Sequence, residues 1–307
     1  MLKIQKVLVS FITLLSITSA FSTAPDSKQL KKRIAVFVFE DKTDKTHHWW
    51  DRKGVGEGLS EMLLTSLVKS GKYRVVERQE MESIMQEQKL GLTGLLTPES
   101  AAQAGKLLGV ELAVMGAVTE YGLSESKKGG RFGGIGLGLK KHSAVIAVDC
   151  RLVNTSTGEI IVAESIRKKV SSQGIEIDTK KFSYENQKKF DESVIGKAAR
   201  SAVSAVVELL DKNASKVAWQ AKVITQNNGF TFINAGSLTG LTIGDTLQIS
   251  RPGEELIDPD TGISLGSIES IIGKIEIIDA NIGDGKAAKC QTVEGGGFQK
   301  GDIVKIE

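Results

Sequence analysis

The sequence predicts an α/β fold: a layer of sheet and helix carrying extended β-hairpins, followed by a small all-β region. Three observations predict it. Ala144, Ile146, Val148, Cys150 and Leu152 fall on alternate positions, the period of a strand with one buried face. Between Arg33 and Val118, apolar runs alternate with stretches of helical period, and beyond Ala218 the helical period disappears.

Taken in order, Arg33 to Phe39 (RIAVFVF) is nearly continuous in apolar residues, as a central strand covered on both faces would be. From Gly56 the period becomes helical, with Leu59, Met62, Leu63 and Leu67 on one face and Gly71 placed to close the end. Tyr73 to Val76 reads as a short strand and Gln79 to Gln88 as a second helix. Thr97-Pro98-Glu99 opens a third helix, with Thr97 as cap, Pro98 in the first turn and Gly109 just past its end. Leu112 to Val118 is a strand. Strand, helix, strand, helix, helix, strand implies a sheet with helices packed on it.

The sheet is extended by two hairpins. One runs from Ala144–Leu152 through the Asn154 to Gly158 turn into Glu159–Ser165. The other runs out along Val114–Leu123, turns at Gly129-Gly130 and returns along Ile135–Leu139. Glycines at 129, 130, 133, 134, 136 and 138 evoke a phosphate loop, but no Lys-Ser/Thr stands at the Walker spacing and Leu139 stands where a dinucleotide fingerprint needs its third glycine. Their plain reading is a sharply bent hairpin tip. The sharper reading is a wall of a membrane barrel, with Ile135, Leu137 and Leu139 on one face and Gly136, Gly138 and Lys140 on the other.

Ile195 to Leu210 is an amphipathic helix with Ile195, Ala199, Ala202, Val203, Val206 and Leu210 on one stripe, suited to capping the sheet. Asp211 to Ser215 marks a polar boundary. Beyond it, strands are expected near Gln220–Ile224, Thr231–Asn234, Thr246–Ser250, Gly266–Ile278 and Ile303–Ile306, with Gly244-Asp245 and Gly301-Asp302 turns ahead of two of them. Asp258 to Gly262 is oxygen-rich but lacks EF-hand spacing and reads as a tight turn.

Composition narrows the function. At 307 residues, with 40% hydrophobic and 25% charged side chains, the chain is long enough for two ordinary cores. Lys3 and Lys6, an apolar run from Val7 to Ile17 and small residues at 18–22 form a signal segment, so the mature chain is expected to begin near Phe21 or Thr23. Its removal takes the formal charge from +3 to +1, which predicts no nucleic-acid partner. Cys150 reads as core, and His47, His48 and His142 have no zinc-site spacing. No catalytic set, metal site or cofactor site emerges.

The strand RIAVFVFED, the run GKYRVVERQEMESIMQEQK, the segment GVELAVMGAVTEYG and RLVNTSTGEII together resemble the curli production assembly and transport component (CsgG) family, over roughly residues 33 to 210. The tail from about residue 218 (NAGSLTGLTIGDTLQISRPG, IDPDTG, LGSIES) is similar to the C-terminal domain of the flagellar assembly protein FlgT. The resemblance implies a periplasmic α/β domain whose hairpins assemble in a ring of copies into an outer-membrane barrel that secretes unfolded polypeptides. It divides the chain into a signal peptide at about 1–22, a leader at 23–32, a CsgG-like domain at 33–212 with hairpins at about 118–148 and 164–184, and a FlgT-like domain at 216–307.

By position, the resemblance makes His47, His48, Trp49 and Trp50 candidates for the pore constriction, although tryptophans on a loop serve more often as anchors against their own domain. Phe132, Ile135, Leu137 and Leu139 are candidates for a membrane- or partner-facing hairpin surface. Two departures stand out. No cysteine precedes Cys150, so no lipid-anchored N-terminus is expected, and Arg167-Lys168-Lys169, Glu176 and Asp178 interrupt the second hairpin. Two functions therefore compete: an oligomeric export channel or channel component, and a soluble periplasmic scaffold of an envelope or flagellar assembly.

Overall fold

The computed structural model describes residues 30–43, 54–76, 109–132, 135–173, 187–259 and 264–306, and for residues 125–141 the backbone alone. The signal segment, the loop of His47 to Trp50 and the helices expected at Gln79–Gln88 and from Thr97 lie outside these residues. Among the described residues strand outweighs helix, in a mixed sheet and a closed barrel.

The sheet holds β1 (Lys32–Val36), β2 (Glu40–Asp41), β3 (Tyr73–Val75), β4 (Leu112–Phe132), β5 (Ile135–Asn154) and β6 (Ile160–Gln173), in the order β3-β1-β4-β5-β6 with β2 beside β4. β1 is parallel to both β3 and β4, and the helix Val55–Ser70 lies on the connection that leads to β3, while β4, β5 and β6 are antiparallel. The two expected hairpins are one meander. Strand β5 runs unbroken from Ile135 through Lys140, Lys141 and His142 to Asn154, so both hairpins share it.

Helix α1 (Val55–Ser70) follows β2 and ends where expected, at Gly71, whose φ of 66° lets its N–H reach Val68 O. Its start is packed tightly against the sheet. A Cβ on Gly56 would lie 2.0 Å from Phe39 O, and Ser60 Oγ bridges the two elements by accepting from Phe39 N and donating to Gly56 O, each at 2.8 Å. A short helix α2 (Gln187–Glu192) leads into α3 (Val194–Asn213), which is capped by Ser193 Oγ accepting from Gly196 N at 3.0 Å.

The apolar stripe read from the sequence of α3 is the buried one, and it packs with Leu59, Leu63 and Leu67 of α1 over Ile34, Val36, Leu112, Val114, Val148, Cys150 and Leu152. Ala35, Phe37, Ala113, Met115 and Val153 are buried on the opposite face, which is why β1 reads as a continuous apolar run. Truncating Leu63, 1% exposed, to alanine would cost about 2–5 kcal/mol.

The stretch Asp211 to Ser215 is helical. α3 runs on through Asn213 into a 3-10 turn at Ala214–Lys216, Ala214 and Val217 join the sheet's core, and Asp211 accepts from Lys72 Nζ at 2.6 Å and Tyr73 Oη at 2.9 Å. Burial and the Asp211 carboxylate both push the Tyr73 hydroxyl well above its usual range.

The barrel comprises β7 (Gln220–Asn227), β8 (Phe230–Ile233), β9 (Thr246–Ile257), β10 (Ser264–Ile282), β11 (Ala287–Gly295) and β12 (Ile303–Ile306), closed in the order β10-β11-β8-β7-β12-β9. Asn228 and Gly229, both at positive φ (50° and 78°), turn β7 into β8 as the right-handed strand twist requires. β11 goes unread in the sequence because only Ala288 and Cys290 of its residues are buried, a weak period-two signal. The interior is filled by Val223, Ile233, Leu247, Ile249, Ile275, Ile277 and Val304 among others. Leu30, expected in a polar leader, is buried in this same core, and Lys31 N donates to Thr239 O at 2.9 Å.

Both cysteines are free and buried. Burial, with the nearby Glu164 charge adding to it, pushes the Cys150 thiol up to about 12, and burial does the same to Cys290. Neither is expected to react with an aromatic disulfide reagent at about pH 8 in the folded protein, and both should react in denaturant. Rapid labelling of either under native conditions would contradict this packing.

Candidate functional site

The part of the fold that leaves the cores is the outer length of β4, β5 and β6. β4 has 21 residues and β5 has 20, so each extends for roughly 70 Å. Their ladder runs from Leu112 opposite Asn154 to Phe132 opposite Ile135, and β6 accompanies β5 as far as Gln173 opposite Lys141. Beyond that rung, among the described residues, β4 and β5 continue alone as a two-stranded ribbon.

One irregularity decides which residues share a face. Between Val118 and Glu120 the β4–β5 register shifts by one residue, which leaves Thr119 as a bulge. Before it, Leu112, Val114 and Val118 lie opposite Asn154, Leu152 and Val148; after it, Tyr121 and Leu123 lie opposite Ile146 and Ala144. Even-numbered positions of β4 thus share the helix-covered face before the bulge and odd-numbered positions share it after. Were Thr119 paired in the ladder instead of bulged, Glu120 would lie opposite Ile146 and enter the core, and Tyr121 and Leu123 would fall on the other face.

Carried outward, the register sorts the tip into two faces. Arg131 pairs with Gly136, Gly129 with Gly138 and Lys127 with Lys140, which continues the helix-covered face. Phe132 pairs with Ile135, Gly130 with Leu137 and Lys128 with Leu139, which continues the opposite face. All four apolar positions singled out in the sequence therefore lie on one face of the ribbon, with Gly130 and Lys128, and Gly129, Gly136 and Gly138 with Arg131, Lys127 and Lys140 lie on the other.

Closer to the cores the apolar-tip face becomes polar. Glu120 of β4 takes a two-point hydrogen bond from Arg167 of β6 (Nε to Oε2 2.7 Å, Nη2 to Oε1 3.0 Å), spanning Ala147 of the strand between them. That bond holds the Glu120 carboxyl below its usual range. Ser165 Oγ donates to Asp149, and the Ser124 and Ser143 hydroxyls meet at 3.0 Å on adjacent strands. On the helix-covered face His142 is 4% exposed at the rung where β6 nears its end, and its Nε2 has no hydrogen-bond partner among the described residues.

His47, His48, Trp49 and Trp50 lie outside the described residues. Only the Glu164–Gln173 part of the second expected hairpin is described. The bulge and the clamp across β5 went unread in the sequence. A signal for the first was present: the apolar positions of β4 change from even (112, 114, 118) to odd (121, 123) within one strand.

These features define a class, a protein with a helix-backed mixed sheet, a projecting ribbon and a closed β-barrel. Residues 15–237 match the family model described as curli production assembly/transport component CsgG, and the chain belongs to this family. The curli production assembly/transport components CsgG of Escherichia coli and Salmonella typhimurium are each 28% identical to it over 135 residues, 42% of this chain and 48% of theirs. The chain thus matches about half the length of these relatives. Among solved structures, the hypothetical protein CT253 of Chlamydia trachomatis is similar over 61% of this chain and 99% of its own, at 18% identity and a TM-score of 0.42.

Deleting Thr119 removes the extra residue and leaves Val118 opposite Val148 and Glu120 opposite Ala147, so Tyr121 and Leu123 keep their core positions. We expect urea unfolding to change by no more than about 1 kcal/mol, because no large side chain leaves the core. A loss of about 3 kcal/mol or more, the scale of two large side chains leaving the core, would show that Thr119 is not the extra residue that sets the register.

Proposed function

We propose that this chain is a cell-envelope secretion component that works as a ring of copies, their ribbons associated side by side as the wall of an outer-membrane channel for unfolded, curli-like polypeptides. The observation that carries this reading is the pair of open edges on the β4–β5–β6 meander. Among the described residues β4 has no strand on its outer side beyond Val118, where β2 ends, and β6 has none along its outer side. An open edge in lipid leaves backbone groups unpaired at several kcal/mol each, and one copy cannot close a barrel by itself. Neighbouring copies supply the missing edges, so insertion and ring formation are coupled. The signal segment delivers the chain to the periplasm, and the loop of His47, His48, Trp49 and Trp50 is assigned to the constriction by its place in the resemblance. The barrel, through its likeness to FlgT, is assigned to docking on an envelope assembly.

One measure favours a second reading. The apolar positions of β5, Ile135 to Leu139, extend for roughly 13 Å along the strand, against about 25 Å for the apolar band of membrane barrels. Under that reading the chain is a soluble periplasmic scaffold whose ribbon meets a partner outside the bilayer.

The substitution Leu137→Arg separates the two. If the ribbon spans lipid, an arginine near the midplane costs on the order of 2–4 kcal/mol, and the variant leaves the membrane fraction and loses its oligomer on sizing in detergent. A variant as membrane-associated and as oligomeric as the parent removes the main support for the channel.

A further inference from the structure

The ribbon tip combines two properties that neither a spanning strand nor a solvated loop requires. Between Ser126 and Lys141 there are five basic residues, Lys127, Lys128, Arg131, Lys140 and Lys141, and no acidic one. The register gives these charges an arrangement. Phe132, Ile135, Leu137 and Leu139 share one face, while Arg131, Lys127 and Lys140 share the other with Gly129, Gly136 and Gly138. Lys128 and Lys141 stand on the apolar face only at its inner end, on the Leu139 rung and the rung inside it. The result is a cationic, two-faced β-ribbon.

We propose that this tip is a docking element for an anionic lipid surface, lying flat in the headgroup layer with its apolar face toward the acyl chains, and that a single copy suffices to engage it. Charge complementarity and geometry together select this occupant. A layer of negative charge directly above an apolar layer is what a ribbon with basic residues on one face and aliphatic residues on the other matches. Flat docking leaves Arg131, Lys127 and Lys140 at the headgroups, whereas upright insertion carries Arg131, one rung from the outer end of the ladder, into the hydrocarbon. The roughly 13 Å apolar stretch is too short to cross about 30 Å of hydrocarbon but suits an element that enters only the outer part of one leaflet. The proposal does not rest on the ring reading and replaces its spanning step, because a ribbon lying flat in one leaflet does not wall a channel.

The test uses the full chain and large vesicles of phosphatidylcholine alone or mixed with phosphatidylglycerol, at about 50 mM and about 500 mM salt, with bound protein read by sedimentation. Binding is expected to the anionic vesicles at low salt, falling roughly tenfold or more on neutral vesicles or at high salt, since each basic residue near such a surface adds to affinity. Exchanging Lys127, Lys128, Lys140 and Lys141 together for glutamine should abolish the salt-sensitive binding, and exchanging the same four for arginine should retain it, which separates charge from folding. Ile135→Ser with Leu137→Ser should weaken binding at low salt. Equal binding to both vesicle types overturns the proposal, as does glutamine-variant binding at the parent level or no vesicle binding at all, the outcome expected if an acidic protein covers the ribbon. The oligomeric state is measured on the same samples by light scattering. A monomer that binds anionic vesicles sinks the ring and leaves this inference standing, and a ring indifferent to lipid charge does the reverse.

Discussion

The geometry of the ribbon depends on a single-residue constraint, the bulge at Thr119. A strand has a side-chain period of two, so one extra residue exchanges the faces of everything beyond it. Upstream, Leu112, Val114 and Val118 hold β4 against the helices; downstream, Tyr121 and Leu123 rejoin that same core after the shift. β5 needs no such correction, because its even-numbered positions from Ala144 to Leu152 are buried without a break. The two strands agree at both ends because the extra residue of β4 is bulged out of the ladder instead of paired. The same agreement places Phe132 on the face of Ile135, Leu137 and Leu139, so the core packing of the sheet and the surface chemistry of the tip have one cause.

The cores act as a rigid base for this ribbon. α1 and α3 bury a continuous apolar layer on the meander, and the side chains of α3 alone remove Ile195, Val203, Val206 and Leu210 from water. Each such residue contributes on the order of 1.5–3 kcal/mol before the entropy of ordering is set against it. The barrel is attached at more than one point. Helical structure runs through Lys216 to within four residues of β7, Gln220 Nε2 reaches Ser156 Oγ at 2.6 Å, and Leu30, just before β1, is buried in the barrel's core. A loose tether between sheet and barrel does not describe these contacts.

Much of the architecture was legible because the signals were strong and local. The stripe of α3, the left-handed Gly71, the alternation of β5 and the burial of Cys150 follow from period, cap chemistry and apolar content, and the structure bears each of them out. What was illegible depended on partners distant in sequence. Lys140, Lys141 and His142 look like a break between two hairpins, yet β6 pairs across them at Lys141 and His142 and the strand continues. Polar Asp211 looks like linker until Lys72 and Tyr73 are brought to it from β3 and its approach. Leu30 looks like leader until the barrel closes around it. At the ribbon, the apolar residues could be named from sequence, but that all four share a face, with Arg131, Lys127 and Lys140 opposite, required the register.

The account's central claim is that one face of the ribbon, and not the other, is covered when the protein works. Because Cys150 and Cys290 are buried and held protonated, single cysteines introduced from 135 to 140 can be spin-labelled without removing the native thiols. The direct measurement is the accessibility of those labels to a water-soluble paramagnetic quencher, with the protein bound to anionic vesicles and again without them. The account predicts a period of two on the membrane, with positions 135, 137 and 139 shielded and 136, 138 and 140 open, and no such alternation in its absence. Uniform accessibility along the strand in the bound state, or shielding of the even-numbered positions, would contradict it.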